Sequence, residues 1–171
     1  MNIINTIEYG LTLIGIPYDY WLGGKNQEKS PMFAINGPSP KYNEIISLNC
    51  SGLVNLLLRF RGKELPHDKE GNLGGTDSYS KYYSKKSLKF DINKVYPIGS
   101  LLIRKYRDID DQGHLAVIIE EKGKTSLLLQ SHVEGEYFKS TKPGVNANYT
   151  VEQSHNLDFF ELIVLPINWL E

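Results

Sequence analysis

The order of apolar patterns along the chain predicts an α+β fold, in which helices come first and an antiparallel sheet follows. The first half carries apolar residues at helical spacing, and the second half carries short β-favouring runs separated by charged or turn residues. A chain of 171 residues is long enough for one domain with a sizeable core and too short for two ordinary ones. We therefore expect a single domain over residues 1–171, with N-terminal helices packed on a C-terminal antiparallel β-sheet.

Three segments have the sequence character of helices: residues 2–14, residues 50–62 and residues 76 to about 85. In the first, isoleucine and leucine recur at helical spacing until Gly15 and Pro17 end the pattern. The second is apolar almost all round, which indicates a buried helix. The third begins with Thr-Asp-Ser, and these residue types cap helix N-termini.

The predicted sheet is built from four β-favouring runs: residues 101–103, 115–119, 127–130 and 159–165. Residues 120–124, Glu-Glu-Lys-Gly-Lys, predict the loop of a hairpin between the second and third runs. Earlier in the chain, residues 22–48 are rich in glycine and proline and predict a long loop. A loop of that length in a small domain is usually functional or mobile.

Composition excludes several classes of protein. The net charge of −1 provides no field that would attract nucleic acid or an anionic membrane, and the longest apolar runs are too short for a membrane span. Tyrosines and lysines interleave over residues 79–86, as on surfaces that stack single strands, but a solvated helix with one apolar face explains this pattern better. With one cysteine and no visible signal peptide, we expect an intracellular protein without an internal disulfide.

The candidate chemistry begins at Cys50, the first residue of the predicted buried helix. Unpaired amides and the dipole at a helix N-terminus favour an anion, so a thiol there ionises more readily. A free cysteine is also commonly an inert buried side chain, and position alone does not decide between the two. His114 opens a predicted strand directly after Gly113, where its ring can be held rigidly and accept a proton from a thiol. The pair favours a nucleophile and its general base.

A third group is expected to orient the imidazole of His114. The strand that returns from the hairpin ends in Gln130-Ser131-His132, and alternation places Gln130 and His132 on one face. Either side chain can reach His114. Gln130 suits the task because it is always neutral and can accept from an imidazole N–H.

Several motifs resemble the NlpC family of papain-like cysteine peptidases, with kinship to the CHAP amidases. They are, in chain order, Gly15-Ile16-Pro17-Tyr18, Gly23-Gly24, Asn49-Cys50-Ser51-Gly52-Leu53-Val54, Pro97-Ile98-Gly99-Ser100-Leu101-Leu102 and Gly113-His114-Leu115-Ala116-Val117. The order of cysteine, histidine and a polar third residue is also similar.

The resemblance implies a papain-like α+β core and cleavage of a peptide, isopeptide or related amide bond. It implies that Cys50 is the nucleophile, His114 the base and Gln130 the third catalytic residue. We assign the substrate-binding surface to Tyr18, Asn49, Ser51 and His132. The chain departs from the family where Asn49 replaces the usual aspartate, which helps bind a free amine in cell-wall enzymes, and in the longer loop before Asn49.

Three alternatives stay open beside hydrolysis. The acyl group can pass to an amine instead of water, or the domain can be a catalytically silent binding module. A zinc site built from Cys50 and the four histidines (His67, His114, His132, His155) is the third, although their spacings match no compact zinc motif. We expect an amide substrate as the partner and no metal or organic cofactor, and the oligomeric state is not predicted.

Overall fold

Five helices and six strands make up the part of the chain that the structure, a computed structural model, describes: residues 2–20, 44–67, 69, 71, 73–108, 110–133 and 143–171. The helices are α1 (Ile3–Leu11), α2 (Cys50–Phe60), α3 (Thr76–Tyr82), α4 (Val151–Asp158) and α5 (Pro166–Trp169). The strands are β1 (Ser87–Lys89), β2 (Leu101–Arg104), β3 (His114–Ile118), β4 (Leu127–His132), β5 (Gly144–Thr150) and β6 (Leu162–Val164).

All six strands join one antiparallel sheet in the order β1-β6-β2-β3-β4-β5. The β3–β4 pair is the predicted hairpin, and its connection contains a short 3-10 turn at Gly123–Thr125. In the register of β2 and β3, Arg104 lies opposite His114, so both residues reach the same rim of the sheet. This mixed architecture confirms the predicted α+β class.

The core lies on both faces of the sheet because side chains alternate along each strand. On one face, Leu115 and Val117 of β3 pack in a buried cluster with the apolar residues of α1 and α2. On the other face, Ala116 and Ile118 pack in a second cluster that includes Val151 of α4. The helix α2 is buried over nearly its whole length, as its continuous apolar sequence predicts.

Some element boundaries differ from the prediction. The first helix ends at Leu11 rather than near residue 14, and the third ends at Tyr82. Thr76 is the first residue of α3 and not its cap, since Gly75 holds the N-cap position without a side-chain hydrogen bond. The strand predicted over 159–165 is wrong at its start. Phe159 ends α4 in a left-handed conformation, with φ of 47°, and β6 begins only at Leu162.

Four short elements were not predicted, namely β1, β5, α4 and α5. Most of the predicted long loop, including Gly23-Gly24, lies in residues 21–43, which are outside the described residues. Within the described ranges, every helix is too short or too polar to cross a bilayer.

Candidate active site

Cys50 is the first residue of α2 and lies almost fully buried, with 7% of its surface exposed. Asn49 precedes it with an extended backbone, and its Oδ1 accepts a hydrogen bond of 2.7 Å from the Gly52 amide. The side chain of Asn49 therefore caps the helix and begins it at the cysteine. The amides of Cys50 and Ser51 belong to the same first turn, where N–H groups have no carbonyl partner within the helix.

His114 is the first residue of β3, and the glycine before it fixes where the strand begins. Gly113 has a φ of +74°, and a Cβ added there would lie 2.5 Å from the Arg104 carbonyl oxygen. Only glycine tolerates both the conformation and the close approach. The chain thus turns tightly against β2 and delivers the buried His114 ring to the rim of the sheet.

Gln130 holds one side of that ring. Its Oε1 lies 2.9 Å from Nε2 of His114, and its own Nε2 donates to Ser154 Oγ at 3.1 Å. The amide is fully buried, so these two contacts define its orientation. When Nε2 of His114 donates to Gln130, Nδ1 is the ring nitrogen that remains for the thiol.

Cys50 and His114 change each other's ionisation. Burial raises the pKa of the Cys50 thiol. The hydrogen bond to His114, the charge of that ring and a hydrogen bond from the Leu115 amide have a larger, opposite effect, so the pKa is below its usual 9.0. Burial lowers the pKa of His114, but the charge of Asp158 and the contacts with Cys50 and Gln130 raise it to about 9. Both shifts favour a thiolate beside an imidazolium.

Asp158 joins the site from the C-terminal end of α4, and our sequence analysis did not identify it. Its Oδ2 lies 3.2 Å from Nε2 of His132 and 4.0 Å from Nε2 of His114, and its Oδ1 lies 3.9 Å from Arg104. The signal that could have located it is the capping box of α4, formed by Thr150 and Gln153. That box predicts a helix where we expected none, and Asp158 lies at its end.

His132 contacts both His114 and this carboxylate. Its ring is 4.9 Å from the ring of His114, edge to face, and its Nδ1 contacts the Val133 carbonyl oxygen. Gln130 and His132 therefore both point toward His114, whereas Ser131 faces the other way and donates to the Leu48 carbonyl at 2.7 Å. Gln130 makes the hydrogen bond to His114, and His132 makes the contact with Asp158.

A cavity of about 470 Å³ opens on the His114 side of the site. Its lining includes Tyr18 and His132 of the four predicted substrate-binding residues. Tyr18 is half-buried and packs edge-on to Tyr20 with ring centroids 5.2 Å apart. Burial and the nearby Cys50 charge raise the pKa of its phenol, which therefore stays protonated and able to donate.

Asn49 and Ser51, the other two predicted substrate-binding residues, are buried and engaged within the protein. Asn49 caps α2 through its side chain. Ser51 Oγ lies 4.0 Å from the Cys50 sulfur and 3.2 Å from Thr76 Oγ1, which holds it beside the nucleophile.

Three residues of the site could supply ligands to a metal ion. His114, His132 and Asp158 each have a ligand atom, and these atoms lie within 4.8 Å of one another. An ion there needs the lone pair of His114 Nε2, whose direction is already taken by the hydrogen bond to Gln130. The contacts therefore fit a hydrogen-bonded site better than a metal centre. Of the other residues in the alternative zinc set, His155 packs against Phe90 and Phe160, and His67 packs against Tyr82.

No family model matches the chain, and no curated protein is significantly similar to it in sequence.

Proposed function

We propose that the protein is a cysteine peptidase or amidase of the papain-like, NlpC-related type, which hydrolyses a peptide, isopeptide or related amide bond. The observation that supports this most is that the His114 ring makes a hydrogen bond to Gln130 Oε1 through Nε2 and a second one to the Cys50 side chain. A nucleophile, a base and a group that orients the base are the three parts such chemistry needs.

In the acylation step, the Cys50 thiolate attacks the substrate carbonyl and a carbon–sulfur bond forms. The oxyanion is received by the amides of Cys50 and Ser51 at the start of α2, where the helix dipole also favours negative charge. The His114 imidazolium then gives its Nδ1 proton to the amide nitrogen, the carbon–nitrogen bond breaks, and the amine leaves.

In the deacylation step, neutral His114 takes a proton from water, and the hydroxide attacks the thioester carbonyl. The carbon–sulfur bond breaks, the carboxylic acid is released, and the thiolate–imidazolium pair is restored. Since the cavity opens on the His114 side, we place the leaving-amine portion of the substrate there, against Tyr18 and His132.

Labelling with iodoacetamide tests the nucleophile. Because Cys50 is the only cysteine, one added carbamidomethyl group reports on that residue alone. We expect labelling at pH 7 roughly tenfold faster than for a free model thiol, which is only a few per cent ionised at this pH. The rate should fall in His114→Ala and be unaffected by a metal chelator. Labelling that requires denaturation would identify Cys50 as a core residue and overturn the proposal.

Labelling combined with turnover assays on the same protein then distinguishes between the remaining candidate functions. Rapid labelling together with release of an amine from a peptide library supports hydrolysis, and trapping of the acyl group by an added amine supports transfer. Rapid labelling without turnover of any amide would support the silent binding module. A change in the labelling rate on chelation, in either direction, would favour the metal site instead.

A further inference from the structure

Asp158 is a buried carboxylate that lies beside two histidines and an arginine. Only 8% of its side chain is exposed, and burial of an isolated carboxylate is costly. The groups that offset this cost are His132, His114 and Arg104, at 3.2, 4.0 and 3.9 Å. Each of them can carry a positive charge.

Arg104 divides its charge between two carboxylates. Its guanidinium lies 2.9 Å from Asp111, closer than the 3.9 Å to Asp158. Asp158 therefore shares Arg104 with Asp111, and the two histidines supply its other positive contacts.

The other groups that face His114 cannot replace this carboxylate. Gln130 on β4 is neutral, and the phenol of Tyr18 stays protonated. Cys50 on α2 carries a negative charge only after it has given up its own proton. Among the described residues around the ring, Asp158 is thus the anion whose charge does not depend on the Cys50 proton, and His132 lies beside it.

We propose that Asp158 is a positioning residue of the active site, which holds His114 in its protonated form and so keeps the Cys50 thiolate paired, while His132 contacts the same carboxylate. This inference rests on the proposed function, and it extends the site from three residues to five. The backbone conformation next to Asp158 also indicates that its position is imposed by the surrounding structure. Phe159, directly after Asp158, is the one described non-glycine residue with a positive φ, and such strain persists where the surrounding structure requires it.

The test is an NMR titration of the imidazole of His114. In Asp158→Asn the pKa of His114 should fall by roughly one unit or more, as expected when an opposite charge about 4 Å away is removed. Asp158→Glu should restore most of the shift because it restores the charge. Glu152→Gln is the matched control, since it removes an exposed carboxylate of the same helix, one that pairs with Lys124 and not with Arg104, and it should leave the titration unchanged.

A second measurement needs no variant, in case Asp158→Asn does not fold. The carboxyl carbon of Asp158 in the wild type should show an inflection at the pH where His114 titrates, since coupled groups sense each other's protons. Neither titration depends on turnover, so failure of the enzymatic proposal is seen separately in the labelling experiment. Two results would overturn the inference. One is an unchanged pKa of His114 in folded Asp158→Asn, and the other is a carboxyl carbon resonance of Asp158 that shows no inflection where His114 titrates.

Discussion

Gln130 decides how His114 can act. Its oxygen lies 2.9 Å from Nε2, so when Nε2 donates to it, Nδ1 is the ring nitrogen left for the thiol. Ser154 in turn holds the amide by accepting from its nitrogen, so the carbonyl oxygen rather than the NH₂ group faces the imidazole. The orientation of the His114 ring therefore depends on a chain of hydrogen bonds through His114 of β3, Gln130 of β4 and Ser154 of α4.

We expect Gln130→Ala to lower kcat by roughly 10–100-fold, because a hydrogen bond to a charged group contributes about 1.5–3 kcal/mol. The measurement is steady-state kinetics on the best amide substrate, well below the melting temperature, since Gln130 is buried and its loss also reduces stability. Ser154→Ala, which removes only the second contact of the amide, is the matched control and should have a milder effect. A larger effect of His132→Ala than of Gln130→Ala would assign the orienting role to His132.

At the scale of elements, the site is assembled where the N-terminus of α2, the start of β3 and the C-terminus of α4 meet. Pairing of residues 15–17 with the start of β5 brings Tyr18 to the same place, through hydrogen bonds such as Gly15 N–H to the Val145 carbonyl at 2.9 Å. Each of these junctions depends on a backbone feature, namely a cap, a turn or strand-like pairing, rather than on the candidate site side chains.

The turn before β3 provides a direct test. Gly113→Ala should destabilise the fold by at least about 2 kcal/mol and lower activity further, because the change adds left-handed strain and a clash with the Arg104 carbonyl beside His114. Gly71→Ala is the matched control. Its φ is +84°, but a Cβ there meets nothing within 4 Å, so it should cost only the strain, about 1 kcal/mol. Equal losses in the two variants, measured by denaturant unfolding, would show that close packing at Gly113 does not matter.

At the scale of the whole molecule, the buried charges connect the site to the stability of the fold. Burial raises the pKa of Asp158, but the charges of His114 and His132 and the hydrogen bond from His132 lower it more, so the net pKa is below 3.8. A carboxyl group whose pKa is lower in the folded state stabilises the fold above its unfolded pKa, and this contribution is lost as the pH falls through the folded pKa.

We therefore expect the free energy of unfolding of the wild type to exceed that of Asp158→Asn at pH 7, by on the order of 1–3 kcal/mol. The difference should shrink as the pH is lowered below 3.8, because the carboxyl group then protonates and resembles the amide. Urea unfolding of both proteins at several pH values provides the comparison. A difference that is independent of pH would mean that Asp158 acts through packing and not through its charge.

Much of the fold follows from local patterns in the sequence. Continuous apolar residues after Cys50 predicted α2, and the β-favouring runs around residues 101, 115 and 127 predicted β2, β3 and β4. These elements are long or strongly apolar, so their own residues decide their structure. By contrast, β5 is mixed in polarity and α4 is polar, and local pattern did not separate them from loops, apart from the capping box at Thr150.

The sequence by itself pointed to Cys50 and His114 as the candidate pair, since a cysteine at a helix start and a histidine after Gly113 are local features. It also limited the third residue to Gln130 or His132, because alternation along a strand places both on one face. Only the tertiary structure decided between their contacts and introduced Asp158, because these depend on how α4 packs against β4 some 26 residues away along the chain. Periodicity describes which side of an element is buried, whereas a hydrogen bond depends on ångström-scale distances between elements that only packing sets.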